Sequence, residues 1–119
     1  MLIKVQELVG AWSIRPTGVL HIGAHAAEES SDYLRQGWSP VIWIEANPML
    51  IDRLKEIIPA EDRVICAALW DEDEVSLDLN VASKGESSSL LQPITHLIEH
   101  PNIKFESQLA LSTKRLDSI

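Results

Sequence analysis

Two short apolar segments, each closed by a residue suited to ligand binding, constrain this chain more than any other feature. The first covers residues 19–22 and ends at Gly23, and the second covers residues 41–44 and ends at Glu45. Short apolar runs with β-branched residues, bounded by glycine or proline, are typical of buried strands. If the strands are parallel neighbours, Gly23 and Glu45 lie at one edge of a sheet, about twenty residues apart in sequence.

That pairing of a glycine with an acid predicts a pocket for a nucleoside-containing ligand. A glycine lets a ligand approach the backbone closely, and a carboxylate at the next strand tip can accept hydrogen bonds from both ribose hydroxyls. A pyrophosphate-binding turn needs two further glycines, but His25 and Ala27 stand in those places, which argues against NAD and FAD. The competing interpretation of Glu45 is a solvated carboxylate at a strand end.

Periodicity predicts an alternation of helices and strands in the first part of the chain. Helices are expected at residues 2–12 and 24–36, and again after the Asn47-Pro48 start signal, with a third strand at 63–69. This order is typical of a parallel sheet with right-handed crossovers, so the fold class is α/β.

The pattern changes after an acidic turn at residues 71–74. Strict alternation predicts a half-exposed strand at 75–81. A polar loop, a short helix, a strand and the start of a further helix are then expected, at 83–89, 90–100, 105–111 and 116–117.

Composition is that of one globular domain spanning residues 1–119, with 1–17 as an N-terminal helix and lead-in. The net charge of −8 disfavours nucleic acid as a partner. No apolar stretch approaches the ~20 residues needed to cross a bilayer, and the N-terminal residues lack the layout expected of a secretory signal. The single cysteine, Cys66, excludes an internal disulfide, fits a reducing cytoplasmic location, and is expected to be buried.

The histidines near the first strand are the local candidates for acid–base chemistry. His21 interrupts an apolar strand, so a core histidine bonded to a neighbouring loop is favoured over a contact with cofactor or substrate. His25 and Glu28 are expected on one face of the following helix. Glu28 and Glu29 also suit the dipole at a helix start, without any further role.

A second motif points to different chemistry. His96, Glu99 and His100 match the H-x-x-E-H pattern of inverted zinc peptidases. Pro101 ends the helix at once, and a third ligand is expected well downstream, so we predict no metal site. The serines of the polar loop, Ser87, Ser88 and Ser89, are either a helix cap or hydroxyls that contact a polar substrate.

Five segments in order resemble the FkbM family of S-adenosylmethionine-dependent methyltransferases. They are GVLHIGAH at 18–25, VIWIEANP at 41–48, Ala68-Leu69, SSSLL at 87–91 and TKRLDS at 113–118. The resemblance covers nearly all of the chain from Gly18 onward. It implies a doubly wound, Rossmann-like methyltransferase fold, present here as the first three parallel strands plus a hairpin-like strand region.

The resemblance also implies site residues and an activity. The turn at 21–25 (His21, Ile22, Gly23, Ala24, His25) would pass under the methionine part of S-adenosylmethionine. Glu45 would hold the ribose hydroxyls, Ala46 and Asn47 would line its side, and Cys66, Ala67 and Ala68 would lie near the adenine. The implied reaction is O-methylation of a sugar, glycan or natural-product hydroxyl, with His21 or His25 as weak candidates for the base.

Departures from the family pattern define the alternatives. Ala27 replaces a glycine, and the chain ends where relatives continue into a fourth strand, so this is expected to be the cofactor-binding half. The strand at 19–22 would then be an open apolar edge, which predicts self-association or strand exchange. The alternative function is a non-catalytic nucleoside-binding or protein-interaction domain, and the remote one is the zinc hydrolase.

Overall fold

The computed structural model describes residues 4–82 and 105–119. Contacts within the chain define two compact units, one up to Cys66 and the other from Ala67 onward. Each unit has its own three-stranded sheet. The expected loop at 83–89 and helix at 90–100 lie outside the described residues.

The first unit alternates helices and strands, as its periodicity predicts. Its elements are α1 (Val5–Trp12), β1 (Val19–Ile22), α2 (Ser30–Gln36), β2 (Val41–Glu45), a 3-10 helix (Pro48–Leu50), α3 (Ile51–Ile57) and β3 (Arg63–Cys66). The three strands are parallel and lie in the order β1-β2-β3. The α/β class with a parallel sheet is therefore confirmed, and β1 and β2 are neighbours.

The core of this unit lies on one face of the sheet. Val41 and Trp43 of β2 are 3% and 0% exposed, and they pack with Tyr33 and Leu54 of the helices α2 and α3. On β1 the alternate residues Leu20 and Ile22 are 48% and 56% exposed. Among the described residues no strand pairs with the outer side of β1, so self-association through that edge stays a prediction.

Asp62 holds the middle strand from the turn before β3. Its Oδ1 accepts a hydrogen bond from the Val41 backbone N–H at 3.0 Å, and its Oδ2 accepts one from the Trp43 indole N–H at 3.0 Å. Both donors belong to buried residues. This role of Asp62 could not be predicted from the sequence, because an acid in a polar turn carries no signal of its distant partners.

Two expected elements differ from those observed. The helix expected at 24–36 begins only at Ser30, because the preceding residues form a tight bend in which Gly23, His25 and Ala27 have positive φ. The strand expected at 63–69 breaks at Ala67. Its first part ends opposite Glu45, the last residue of β2, and beyond that point β2 offers no partner.

Cys66 also differs from expectation, because it is exposed rather than buried. It is the last residue of β3, which is an outer strand of its sheet in the described part of the chain. Although the residue as a whole is exposed, partial burial of its thiol, followed in size by the negative charge of Glu45, raises the pKa of Cys66 above its ordinary value. The thiol is therefore mainly protonated at neutral pH.

The second unit is built on a long antiparallel strand pair. Its elements are β4 (Ala68–Leu69), β5 (Ser76–Ala82), β6 (Phe105–Lys114) and a 3-10 helix (Leu116–Ser118). The strand order is β4-β6-β5, with β4 parallel and β5 antiparallel to β6. The strand expected at 75–81, the strand at 105–111 and the hairpin-like pairing are confirmed, although β6 is longer than expected. The expected half exposure fails at Asn80, which the alternation places on the exposed face and which is 5% exposed.

Thr113 joins the acidic turn to the end of β6. Its fully buried hydroxyl donates to the Glu72 carbonyl at 2.7 Å and accepts from the Val75 N–H at 3.0 Å. Asp73 accepts hydrogen bonds from the Arg115 backbone N–H and the Ser118 hydroxyl. These bonds explain the local order of the turn at 71–74.

Over residues 4–82 and 105–119, no helix is long and apolar enough to cross a membrane.

Replacing Asp62 by alanine is expected to lower the free energy of unfolding by about 2–4 kcal/mol, because each buried donor left without a partner costs about 1–3 kcal/mol. Chemical denaturation monitored by tryptophan fluorescence measures this. The exposed neighbour Glu61, which has no hydrogen bond or ion pair within the described ranges, provides the matched control Glu61→Ala, with an expected change below about 0.5 kcal/mol. Equal effects of the two substitutions would contradict the role of Asp62.

Candidate functional site

The carboxylate of Glu45 binds the bend that follows β1. Its Oε2 accepts a hydrogen bond from the His25 backbone N–H at 2.8 Å, and its Oε1 accepts one from the Asn47 backbone N–H at 2.9 Å. The residue is 9% exposed, so these bonds compensate part of the cost of burying a charge. Each carboxylate oxygen has a second lone pair, and the group can therefore accept further hydrogen bonds from a ligand.

The bend itself is compact and is fixed by the backbone of β2. The N–H groups of Gly23 and Ala24 both donate to the Ile44 carbonyl, at 2.9 and 3.1 Å, and the Ala27 N–H donates to the Ala24 carbonyl at 2.8 Å. The φ angles of Gly23, His25 and Ala27 are 84°, 48° and 54°. Left-handed backbone is disfavoured for residues with a side chain, so the last two are conformations held by their surroundings.

Gly23 leaves open space beside the bend. A Cβ atom added there would meet no other atom within 4 Å. A ligand can thus approach this backbone without displacing protein atoms. This agrees with the close approach predicted from a glycine at this position. The bend and Glu45 are brought together as predicted from parallel strand tips.

His25 and Glu28 form a hydrogen-bonded pair next to Glu45. The Nδ1 atom of His25 lies 2.8 Å from Oε1 of Glu28, and the two side chains are 27% and 55% exposed. The hydrogen bond from His25 lowers the pKa of Glu28, against a smaller opposing effect of burial. With its proton on Nδ1, facing the carboxylate, a neutral His25 presents the lone pair of Nε2, which is the arrangement of a general base.

His21 lies among the packed aromatic side chains instead. Its Nδ1 is 2.7 Å from the Tyr33 hydroxyl, its Nε2 is 3.8 Å from a carboxylate oxygen of Glu29, and its ring centroid is 4.8 Å from that of Trp43. Burial, then the charges of Glu29 and Asp32, raise the pKa of Tyr33, so the phenol stays neutral and can donate to Nδ1. These contacts favour the core interpretation of His21 and leave His25 as the better candidate for a base.

The other expected ligand-binding residues are placed as follows. Asn47, 5% exposed, accepts a hydrogen bond from the Met49 N–H at 3.0 Å and so caps the 3-10 helix. Ala46 lies between Glu45 and Asn47 and is partly buried. Ala67 and Ala68 are buried and belong to the second unit.

Several candidates lie outside the described residues. They are Ser87, Ser88 and Ser89, expected to contact substrate, and His96, Glu99 and His100, the possible zinc ligands. Within residues 4–82 and 105–119, no group of three or more histidine, cysteine, aspartate or glutamate side chains is arranged to hold a metal ion.

Comparison of the chain with protein-family models, with curated proteins and with solved structures found no match.

Substituting alanine at Gly23 and at Gly10 is expected to have opposite effects on stability. Gly23→Ala should lower the free energy of unfolding by about 1–2 kcal/mol, because its φ is positive while its Cβ has open space. Gly10 lies in α1, and an added Cβ meets nothing there either, so Gly10→Ala should raise stability by about 0.5–1 kcal/mol. Urea denaturation of both variants measures these changes. An unchanged free energy of unfolding in Gly23→Ala would contradict the left-handed conformation of Gly23.

The Glu28 pair should make a pH-dependent contribution to stability. Because the folded-state pKa of Glu28 is lowered from 4.5, its stabilisation is complete above that value and is lost as the pH falls through the folded pKa. Glu28→Gln should therefore reduce the free energy of unfolding at neutral pH, by no more than about 1 kcal/mol for an exposed pair. The difference from the wild type should shrink as the pH falls below 4.5.

The matched control for this experiment is Glu56→Gln on α3. Glu56 is exposed and has no ion pair in the described part of the chain, so its substitution should give a smaller, pH-insensitive change. A difference between wild type and Glu28→Gln that stays constant from neutral to acid pH would contradict the paired state of Glu28.

Proposed function

We propose that this chain binds S-adenosylmethionine at the bend after β1 and takes part in methyl transfer to a hydroxyl group. The observation that carries the proposal is the Glu45 carboxylate, held at the tip of β2 against the bend, with acceptor capacity remaining on both oxygens. The resemblance of the segments around Gly23 and Glu45 to the FkbM methyltransferases supports the same assignment. The finer fold proposed is accordingly the Rossmann-like methyltransferase fold.

The residues present fit a nucleoside ligand. Glu45 would accept hydrogen bonds from the ribose hydroxyls, and the open space at Gly23 would admit the ligand close to the backbone. The negative charge of the chain, −8, favours a ligand that carries positive charge. When bound, S-adenosylmethionine supplies an electrophilic methyl group on a sulfonium sulfur.

His25 would act as the base in the reaction. Transfer of the methyl group from bound S-adenosylmethionine to the acceptor oxygen would require the hydroxyl proton to leave. Nε2 of His25 would take that proton, and Glu28 would orient the ring and stabilise the resulting imidazolium. The class of acceptor proposed is a hydroxyl of a sugar, glycan or natural product, by resemblance.

A non-catalytic nucleoside-binding role is the second candidate, and one observation favours it. Both oxygens of Glu45 already accept backbone hydrogen bonds, so the carboxylate has a structural task independent of chemistry. A binding domain would need Glu45 and Gly23 but not the exposed His25–Glu28 pair. Substitution of Glu45 should therefore affect both roles, whereas substitution of His25 or Glu28 should affect only the enzyme.

Titration calorimetry with S-adenosylmethionine tests the proposal. A charge-assisted hydrogen bond contributes about 1.5–3 kcal/mol, so Glu45→Gln is expected to raise Kd roughly 10- to 100-fold. The matched control Glu56→Gln should leave Kd unchanged, and thermal unfolding of each variant confirms that it is folded. His25→Gln should bind the ligand with little change, since the bond to Glu45 comes from its backbone N–H.

The outcomes separate the candidates. Absence of binding to the wild type, or equal Kd for wild type and a folded Glu45→Gln variant, would overturn the ribose role. Binding that depends on Glu45, with methyl transfer to a glycan acceptor that is lost in His25→Gln, would support the enzyme. Binding that depends on Glu45 without any transfer would favour the non-catalytic domain.

A further inference from the structure

A cavity of about 300 Å³ lies in the first unit, away from the bend. It is lined by residues from the ends of α1 and α2 and from the segments that lead into β1 and β2. Because β1 and β2 are parallel, these segments lie at the amino ends of the strands, and Glu45 lies at the opposite edge. Strands of this length separate the two edges by roughly 13–17 Å, so the cavity is distinct from the proposed nucleoside site.

Two of the residues that line the cavity, beside the polar Ser13 and Gln36, carry donors without an acceptor in the described part of the chain. Arg15 is exposed and has no acidic partner in residues 4–82 and 105–119, although the chain carries an excess of acidic residues. Trp38 is 9% exposed, and its indole N–H has no hydrogen-bond acceptor in the described part of the chain. Guanidinium and indole N–H groups can only donate. A ligand that satisfies both must supply acceptors, and beside Arg15 an anionic acceptor is favoured.

The remaining walls are partly aliphatic and partly polar, the polar part coming from Ser13 and Gln36. Val9 and Ile14 supply aliphatic surface. The Trp38 ring is stacked on Tyr33, with centroids 6.1 Å apart and planes inclined by 22°, so its position is fixed. The volume is at the lower end of the range for ligand pockets, about 300–1,000 Å³, which points to a molecule smaller than a nucleotide.

Electrostatics limit how much negative charge the ligand can carry. α1 and α2 both end at this cavity, and the carboxyl end of a helix carries partial negative charge. Arg15 is the one cation among those described residues that line the cavity. A doubly charged phosphate is therefore disfavoured relative to a single carboxylate, and a neighbouring ammonium group would be tolerated.

We propose that this cavity binds a small molecule that carries one carboxylate on an apolar body, with Arg15 and the Trp38 N–H as donors to the carboxylate. Two sources share this chemistry, namely free amino acids with aromatic or branched side chains and simple carboxylic acids. The site is independent of the proposed methyltransferase function.

Ligand-observed NMR titration with three matched probes tests the proposal. The probes are L-phenylalanine, 3-phenylpropionate, which lacks the ammonium group, and 3-phenylpropionamide, which lacks the charge. At least one of the two carboxylates is expected to bind saturably, and the neutral amide at least tenfold more weakly. Tighter binding of phenylalanine identifies amino acids as the ligand class, and tighter binding of 3-phenylpropionate identifies simple acids.

The variants assign the binding to this cavity. Arg15→Gln should weaken carboxylate binding at least tenfold, while Arg53→Gln, an exposed arginine on α3 without an ion pair in the described ranges, should leave it unchanged. Trp38→Phe keeps the stacked ring and removes the N–H, so it should also weaken binding. Because Arg15 is exposed, Arg15→Gln is expected to fold. It therefore tests whether the carboxylate binds in this cavity even if Trp38→Phe fails to fold.

Three results would overturn the proposal: no saturable binding of either carboxylate, equal affinity for the amide, or unchanged affinity in Arg15→Gln. Titration of Arg15→Gln with S-adenosylmethionine tests whether the cavity is independent of the proposed nucleoside site. The variant should respond to that cofactor as the wild type does, with an equal Kd if the wild type binds it and with no binding if the wild type does not.

Discussion

The Glu45 carboxylate is the interaction on which the site depends. It is a buried charge, and both oxygens are held by backbone N–H groups, one from the bend after β1 and one from the turn into the 3-10 helix. An unpaired buried carboxylate is strongly unfavourable, so the bend and the acid stabilise each other's positions. Any ligand that bonds to Glu45 therefore meets a group oriented before binding, which lowers the entropic cost of association.

His25, the candidate base, is linked to this acid through its own backbone. Its backbone N–H is fixed by Glu45, and its imidazole is oriented by Glu28. The left-handed conformation of His25, with φ of 48°, is part of the bend that permits both contacts. Strained backbone of this kind is concentrated at functional sites in proteins, and here it coincides with the residues that the family resemblance singles out.

Much of this arrangement could be predicted from the sequence because it follows from local pattern and strand direction. Apolar runs of four or five residues predict the parallel strands, and parallel strands necessarily bring Gly23 and Glu45 to one edge. The helix start at Asn47 follows from its capping side chain and Pro48. These features depend on residues near in sequence or on the general rules of βαβ units.

The features that were missed depend on tertiary contacts between distant residues. Positive φ at His25 and Ala27 replaces the expected first turn of α2, and neither residue type signals it. The break at Ala67 follows from where β2 ends, and the exposure of Cys66 follows from its place on an outer strand. The Arg15–Trp38 cavity arises where two helix ends meet, which no sequence pattern specifies.

Backbone amide NMR of His25 and Asn47 tests whether S-adenosylmethionine bonds to the Glu45 carboxylate. Their N–H groups are the two donors to Glu45, so a ligand that bonds to that carboxylate must perturb both hydrogen bonds. We expect both amide resonances to shift on addition of S-adenosylmethionine in proportion to bound ligand, while the amide of Glu56 stays unchanged. Saturation of the protein with the ligand without a shift of either amide resonance would contradict the binding of the ligand to Glu45.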